Sequence, residues 1–233
     1  MLFVNIRHKV SRLLNPALCL CCGVGIDAEY FFCAHCLDDL ERVKNACPLC
    51  GLPYAADPSV CAPCKHKPPR WQRMIAPLVY TGGTRKLIQE LKFRDKIYHA
   101  NALVSHLHSH FSGQQVDALL PVPLHSDRLR DRGFNQAQEI AARLAHFLRI
   151  PTDPLSLTRI RATDSQSGLS LNKRQQNIVK AFRYQPTKRY RSVAVVDDVI
   201  TTGSTMAEIT KELRKAGVES VQVWSLARAL KQQ

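Results

Sequence analysis

The chain has 233 residues and carries 33 basic against 19 acidic side chains, a formal charge of +14 at pH 7. That length suits one moderate core plus a small module, and the charge excess favours polyanionic partners. The first 18 residues hold Arg7, Lys9 and Arg12 among short apolar runs, so neither a signal h-region nor a transmembrane segment is expected, and the chain is expected in the reducing cytoplasm.

Cysteine spacing dominates the N-terminal third. The pairs Cys19/Cys22, Cys33/Cys36, Cys47/Cys50 and Cys61/Cys64 each start 14 residues after the one before. A C-x-x-C knuckle offers two thiolates to one tetrahedral ion, so four knuckles supply up to two Cys₄ zinc sites. Knuckles one and three are followed by Gly23 and Gly51, while two and four share the form Cys-Ala-x-Cys, a repeat that predicts two tandem zinc ribbons. A cross-braced arrangement, with knuckle one sharing an ion with three and two with four, fits the same spacing. Cys21 competes with Cys19 or Cys22 as a ligand, and only the Cys19/Cys22 register fits the repeat. A disulfide framework is the rival reading, but C-x-x-C repeats favour metal. Four thiolates close the coordination, so the zinc is structural and holds a module too small to fold on its core alone.

Residues 65–73, KHKPPRWQR, form a basic linker whose paired prolines favour extended chain. The expected plan is a zinc-ribbon module at 1–69 and a second domain at 70–233. Beyond the linker a strand is predicted at 75–80, a long helical stretch from Thr84 to about Phe111 and a strand at 118–122. Ala137, Ile140, Ala141, Leu144, Ala145 and Leu148 recur at helical spacing, and Pro151 helps to stop that helix. Further strands are predicted at Val193 and at 221–226, with a helix over 204–216 between them. The βαβα order implies an α/β fold with a mostly parallel sheet and flanking helices.

Residues 193–205 read VAVVDDVITTGST. The apolar run suits a strand buried on both faces, and ligands of open α/β sheets sit beyond the carboxyl ends of such strands, where Asp197 and Asp198 fall. Two carboxylates can bind vicinal hydroxyls or a hydrated Mg²⁺. Thr201, Thr202, Gly203, Ser204 and Thr205 supply backbone N–H groups and hydroxyls at a helix N-terminus, chemistry that suits a phosphate. An ordinary capped helix start is the plainer reading. Upstream, Arg128, Arg130 and Arg132 beside Gly133 leave a predicted strand end, and guanidinium groups suit bidentate binding of pyrophosphate oxygens. The polar stretch 159–177, with Arg161, Lys173 and Arg174, has the composition of a loop that closes over an anion.

The VAVVDDVITTGST segment resembles the signature of type I phosphoribosyltransferases, and no position departs from that pattern. The resemblance implies that Asp197 and Asp198 are the catalytic acidic pair at the ribose hydroxyls of phosphoribosyl pyrophosphate. It also implies that Thr201, Thr202, Gly203, Ser204 and Thr205 hold the 5′-phosphate, that Arg128 and Arg132 meet the pyrophosphate, and that Arg174 lies on a flexible hood. Together with the four knuckles, the segments Leu91-Lys92-Phe93, Pro121-Val122-Pro123-Leu124-His125, Arg132-Gly133-Phe134-Asn135-Gln136 and Gln166-Ser167-Gly168-Leu169-Ser170 resemble the ComF/GntX family of competence and DNA-utilisation proteins over nearly the whole chain. The implied fold is a type I phosphoribosyltransferase-like sheet preceded by a small Cys-rich zinc-ribbon module.

The implied setting is uptake or utilisation of external DNA, with structural zinc, and with magnesium accompanying phosphoribosyl pyrophosphate or a related phosphorylated ribose. An active phosphoribosyltransferase of nucleotide or base salvage, its acceptor unknown, is the alternative. Partners to be weighed are single-stranded DNA and the DNA-uptake machinery. For DNA, Trp71 and Tyr80 beside Lys65, Lys67, Arg70 and Arg73 suit base stacking, while Trp71 equally suits burial at a domain junction. Lys92 is a weak phosphate candidate, and His106, His108 and His110 read as surface residues of a helix.

Overall fold

The computed structural model describes residues 17–54, 60–93, 96–161 and 178–230. Strand β1 (Ala17–Leu18) pairs antiparallel with β2 (Gly25–Ile26), and helix α1 (Ala34–Asp38) follows. Helix α2 (Ala62–His66) repeats the role of α1. Cys33 and Cys61 sit at the N-caps of these two helices. Each helix start therefore aims its second-knuckle N–H at a first-knuckle sulfur: Cys33 donates to Cys19 Sγ and Cys61 to Cys47 Sγ, both at 3.4 Å.

The thiols group as Cys19, Cys22, Cys33, Cys36 and as Cys47, Cys50, Cys61, Cys64, the sulfurs of each group lying within 4.8 Å of one another. Consecutive knuckles thus share a site, which settles the tandem arrangement over the cross-braced one. The Cys22–Cys33 and Cys50–Cys61 sulfurs are 3.8 and 3.7 Å apart. A tetrahedron with Zn–S bonds of about 2.3 Å has edges of about 3.8 Å, so both groups fit zinc. All the cysteines are free thiols. Cys21 stands outside the first group, with its sulfur 3.3 Å from where a β-carbon would lie on Gly83.

Burial opposes the Cys19 thiolate, but backbone N–H groups of Cys22, Cys33 and Cys21 outweigh it and bring the thiol down to about 6. Cys47 is brought to about 7 in the same way by the N–H groups of Cys61, Cys50 and Leu49. Burial and neighbouring thiols push Cys36 and Cys64 up. Four thiolates in one such cluster need a cation at its centre.

The main sheet is parallel, with order β3-β9-β8-β5. It comprises β3 (Arg73–Ile75), β5 (Ala118–Pro121), β8 (Ser192–Ile200) and β9 (Ser220–Arg228), and β4 (Leu78–Val79) also pairs with β9. The strand expected over 75–80 is split because Pro77 has no N–H to give the ladder. Along β8, Ala194 and Val196 pack on one face with α3 (Gly82–Glu90), α4 (Tyr98–Leu107) and α6 (Gln136–Leu148). Val193 and Val195 pack on the other with α7 (Ser204–Lys215) and a separate hairpin of β6 (Leu157–Arg159) and β7 (Phe182–Tyr184). This is the two-faced burial that the unalternated apolar run predicts.

The long helix expected from Thr84 to Phe111 is instead α3, α4 and a final 3₁₀ turn, His108–Phe111. Leu87, Ile88 and Leu91 are buried, and continuing their helical period would place Arg94 and Asp95 on the core face. Breaking the helix frees the second segment to turn Ala100, Leu103, Val104 and Leu107 inward. His106 is half-buried and accepts from Arg42 at 2.6 Å, and His108 stacks on Phe147 with ring centroids 4.4 Å apart, so these histidines serve packing.

Elemental analysis of the purified protein is expected to give two zinc ions per chain, one for each cysteine group, and one in either Cys22→Ser or Cys50→Ser. Complete loss of metal in both single variants would contradict independent sites.

Candidate functional site

Parallel pairing with β9 carries β8 through the acidic pair: Asp197 lies opposite Ser225, Val199 opposite Ala227 and Ile200 opposite Arg228. The strand therefore ends at Ile200 rather than at Val196, and Asp197 and Asp198 belong to its last turns of pleat. Their carboxylates are tied to the chain that follows. Asp198 N–H donates to Asp197 Oδ1 at 2.9 Å, and Val199 N–H donates to Asp198 Oδ1 at 2.8 Å.

After Ile200 the chain turns into α7. Gly203 caps the helix with φ of +80°, the left-handed region that glycine enters without strain. Thr202 and Ser204 hydroxyls share a hydrogen bond of 2.9 Å. Asp197, Thr201, Thr202, Gly203, Ser204 and Thr205 line one concavity over the N-terminus of α7, where the first helical N–H groups lack intrahelical acceptors. The structure thus brings the acidic strand end and the hydroxyl-rich turn to one place.

The arginines arrive from β5. Pro121 is level with Val196, and Val122 N–H donates to Val196 O at 2.9 Å, so the loop after β5 leaves the sheet beside the acidic pair. Helix α5 (Ser126–Arg132) ends at Gly133, and Asn135 anchors the start of α6 by donating to Val122 O at 3.0 Å. Arg132 donates to the buried Gln136 at 2.6 Å. Burial lowers Arg132, the Asp198 charge holds it up, and Arg128 beside it lowers it again. Arg130 turns away to pair with Asp127.

Two nearby groups are not predicted at this site by the sequence: Arg159 falls only within the polar stretch 159–177, and Tyr80 reads as a stacking residue beside the basic linker. Arg159, at the end of β6, is lowered by burial and by Arg128 and is held up by Asp197; its guanidinium lies 5.6 Å from the Phe182 ring centroid. Tyr80 is half-buried and is raised by burial and by the Asp198 charge. Neither residue carries a local motif. They reach the site by topology, from chain segments far from residue 197. Arg174 lies outside the described residues. Trp71 is buried, its indole N–H donating to Leu49 O at 2.6 Å and its ring pressed against Gly203, which selects the junction reading over exposed stacking.

Asp197 is half-buried, yet protein surrounds its carboxyl group deeply enough to shift it. Burial, then the Asp198 charge, raise it well above the ordinary 3.8, against the Asp198 N–H and the Arg159 charge. The folded chain therefore holds this proton more tightly than the unfolded chain. Its stabilising contribution is complete below about pH 3.8 and is lost as pH rises through the raised folded value. At pH 7, ligand-free Asp197→Asn is expected to melt about 2–4 °C above the wild type, the shift that about 1 kcal/mol produces in a chain of this size. The gain should vanish at pH 3.5, and a lower Tm at pH 7 would refute an unfavourable Asp197 charge.

Residues 98–233 match the phosphoribosyl transferase domain family, and residues 10–66 match the double zinc ribbon domain family. DNA utilization protein YhgH of Salmonella typhimurium is 38% identical over 227 residues, covering 94% of this chain and 100% of that protein. Competence protein F of Haemophilus influenzae is 36% identical over 223 residues, covering 85% of this chain and 97% of that one. Competence protein ComFC of Bacillus subtilis is 25% identical over 215 residues, covering 84% of each. A double zinc ribbon followed by a phosphoribosyl transferase domain, matched over most of the chain by such relatives, places this chain in the family of DNA utilization and competence proteins.

Proposed function

We propose that the chain binds phosphoribosyl pyrophosphate, delivered with Mg²⁺, and uses that site in the uptake or utilisation of external DNA, the processes for which its relatives are named. The observation that carries this reading is the single concavity shared by Asp197 and residues 201–205, with Arg128, Arg132 and Arg159 around the acidic pair. Asp197 and Asp198 accept hydrogen bonds from the ribose hydroxyls. The N–H and hydroxyl groups of residues 201–205 hold the 5′-phosphate at the positive end of α7. Arg128, Arg132 and Arg159 meet the pyrophosphate, and Mg²⁺ supplies further countercharge to it when bound. Free thiols and two Cys₄ groups suit the reducing cytoplasm.

The same groups support the alternative reading, transfer of the phosphoribosyl group to a base. There an acceptor nitrogen forms a bond to the anomeric carbon while the bond to the pyrophosphate oxygen breaks, its electron pair leaving with pyrophosphate. Arg128, Arg132 and Arg159 stabilise the charge that develops on that oxygen. The relatives' names favour the DNA-linked role, and single-stranded DNA or the uptake machinery is the partner class that role implies.

Calorimetry of phosphoribosyl pyrophosphate with Mg²⁺ into the zinc-loaded protein tests the site. Saturable binding is expected, weakened at least about tenfold for each lost carboxylate in Asp197→Asn and Asp198→Asn, because each removes a charged hydrogen-bond acceptor. The double variant is expected to abolish growth on DNA or DNA uptake in cells. Binding unchanged in the double variant would overturn the reading.

A further inference from the structure

The knuckle Cys47-Pro48-Leu49-Cys50 presents three successive carbonyl oxygens to the sheet domain, and each receives a donor. Met74 N–H reaches Pro48 O at 2.8 Å, Trp71 Nε1 reaches Leu49 O at 2.6 Å, and Arg228 Nε reaches Cys50 O at 2.8 Å. Two of those donors continue into the candidate phosphate loop. Arg228 Nη1 donates to Ile200 O at 2.8 Å and to Thr201 O, with Ala229 O a further acceptor at 2.9 Å. The Trp71 ring lies 3.2 Å from where a β-carbon would sit on Gly203.

Both residues are almost fully enclosed, at 5% exposure for Arg228 and 7% for Trp71. A buried guanidinium cannot trade its carbonyl partners for water, so its position fixes theirs. We propose that Arg228 and Trp71 are positioning residues that hold the Ile200 to Gly203 turn against the second zinc knuckle, so that zinc in the Cys47, Cys50, Cys61, Cys64 group sets the affinity of the loop for phosphorylated ribose. The affinity consequence rests on the phosphate-loop reading given above; the mechanical link does not.

The chemistry of the link explains why metal should matter. Zinc with four thiolates carries two net negative charges, and the Arg228 cation stands directly behind one of the ligands. The ion also fixes the knuckle's backbone, and with it the direction of three carbonyls. The first ribbon reaches the sheet domain elsewhere, with Lys86 Nζ donating to Cys21 O at 2.8 Å and Cys21 beside Gly83 on α3. Loss of its zinc should leave the phosphate loop in place.

The test uses full-length protein with zinc counted in every sample. Amide hydrogen exchange over residues 200–205 is followed without ligand, and phosphoribosyl pyrophosphate with Mg²⁺ is then titrated by calorimetry. Arg228→Met is expected to speed loop exchange and weaken binding about tenfold while retaining both zinc ions. Arg228→Lys should recover part of each loss, since one ammonium can still reach the loop carbonyls. Trp71→Phe, which keeps an aromatic ring but loses the bond to Leu49, should move both readouts in the same direction and decides the matter if the Arg228 variants do not fold.

Cys50→Ser is expected to reproduce the loop exchange of Arg228→Met, whereas Cys22→Ser in the first ribbon should match the wild type. Loop exchange unchanged in Arg228→Met and Trp71→Phe, or changed equally by Cys22→Ser and Cys50→Ser, would overturn the proposal. A flat titration of the wild type would instead remove the phosphorylated-ribose reading, with loop exchange still deciding the link.

Discussion

One buried cation constrains how this chain can be assembled. Arg228 closes β9 inside the protein, where an uncompensated charge would cost several kcal/mol. It is stable there only because four carbonyl oxygens converge on it, from Cys50, Ile200, Thr201 and Ala229. Those acceptors come from a zinc knuckle, from the turn after β8 and from the residue following β9. None of these segments can shift without leaving a buried guanidinium short of a partner, and that is why ribbon, sheet and turn hold one relative geometry.

The ribbons also solve a problem of the sheet. Strands β3 and β4 lie at its edge, where unpaired backbone groups would invite other chains. Ribbon residues cover that edge. Val43 N–H donates to Pro77 O, Val79 N–H donates to Glu41 O, and Arg42 bridges Leu78 in antiparallel fashion. Behind this seam Cys19, Phe32, Cys36 and Leu40 pack into the same apolar cluster as Leu78, Leu87 and Trp224. A module too small for a core of its own thus completes a neighbour's core and gains from it, while the metal supplies the stability that its few apolar residues do not.

How much of this could be read in the sequence follows from which interactions are local. The zinc groups were legible because a C-x-x-C knuckle is a local object, and its 28-residue repeat foretold the pairing of consecutive knuckles. The parallel sheet was legible because Val193 to Val196 lack polar alternation. The break between α3 and α4 was missed although Arg94 and Asp95 signalled it, since an apolar period read over a long window hides two charges that would have to be buried. The end of β8 was misplaced for a different reason: pairing with β9 continues past Asp197, and a partner strand is invisible to a pattern read along one strand. Arg159 and Arg228 went unnoticed because their meaning is tertiary. Arg159 opens the stretch that reads as a polar loop, and Arg228 lies two residues beyond the strand predicted at 221–226, which pairing with β8 extends.

The site itself is under electrostatic tension that its ligand chemistry would relieve. Two adjacent carboxylates at a buried strand end repel one another and keep Asp197 inclined to hold its proton. Nearby, Arg132 and Arg159 are both partly desolvated and both feel Arg128. Direct closure of Arg132 onto Asp198 would relax both groups and leave less for a ligand. Asp197 and Asp198 are tied to the N–H groups that follow them, and Arg132 is tied to Gln136. On the proposed reading, a ligand that brings hydroxyl donors to the carboxylates and phosphate oxygens to the guanidinium groups would satisfy both sets at once. A rigid frame lets a site hold opposite charges near one another, and Arg228, bonded to Cys50 O on one side and to Ile200 O on the other, ties the turn after β8 to the second knuckle.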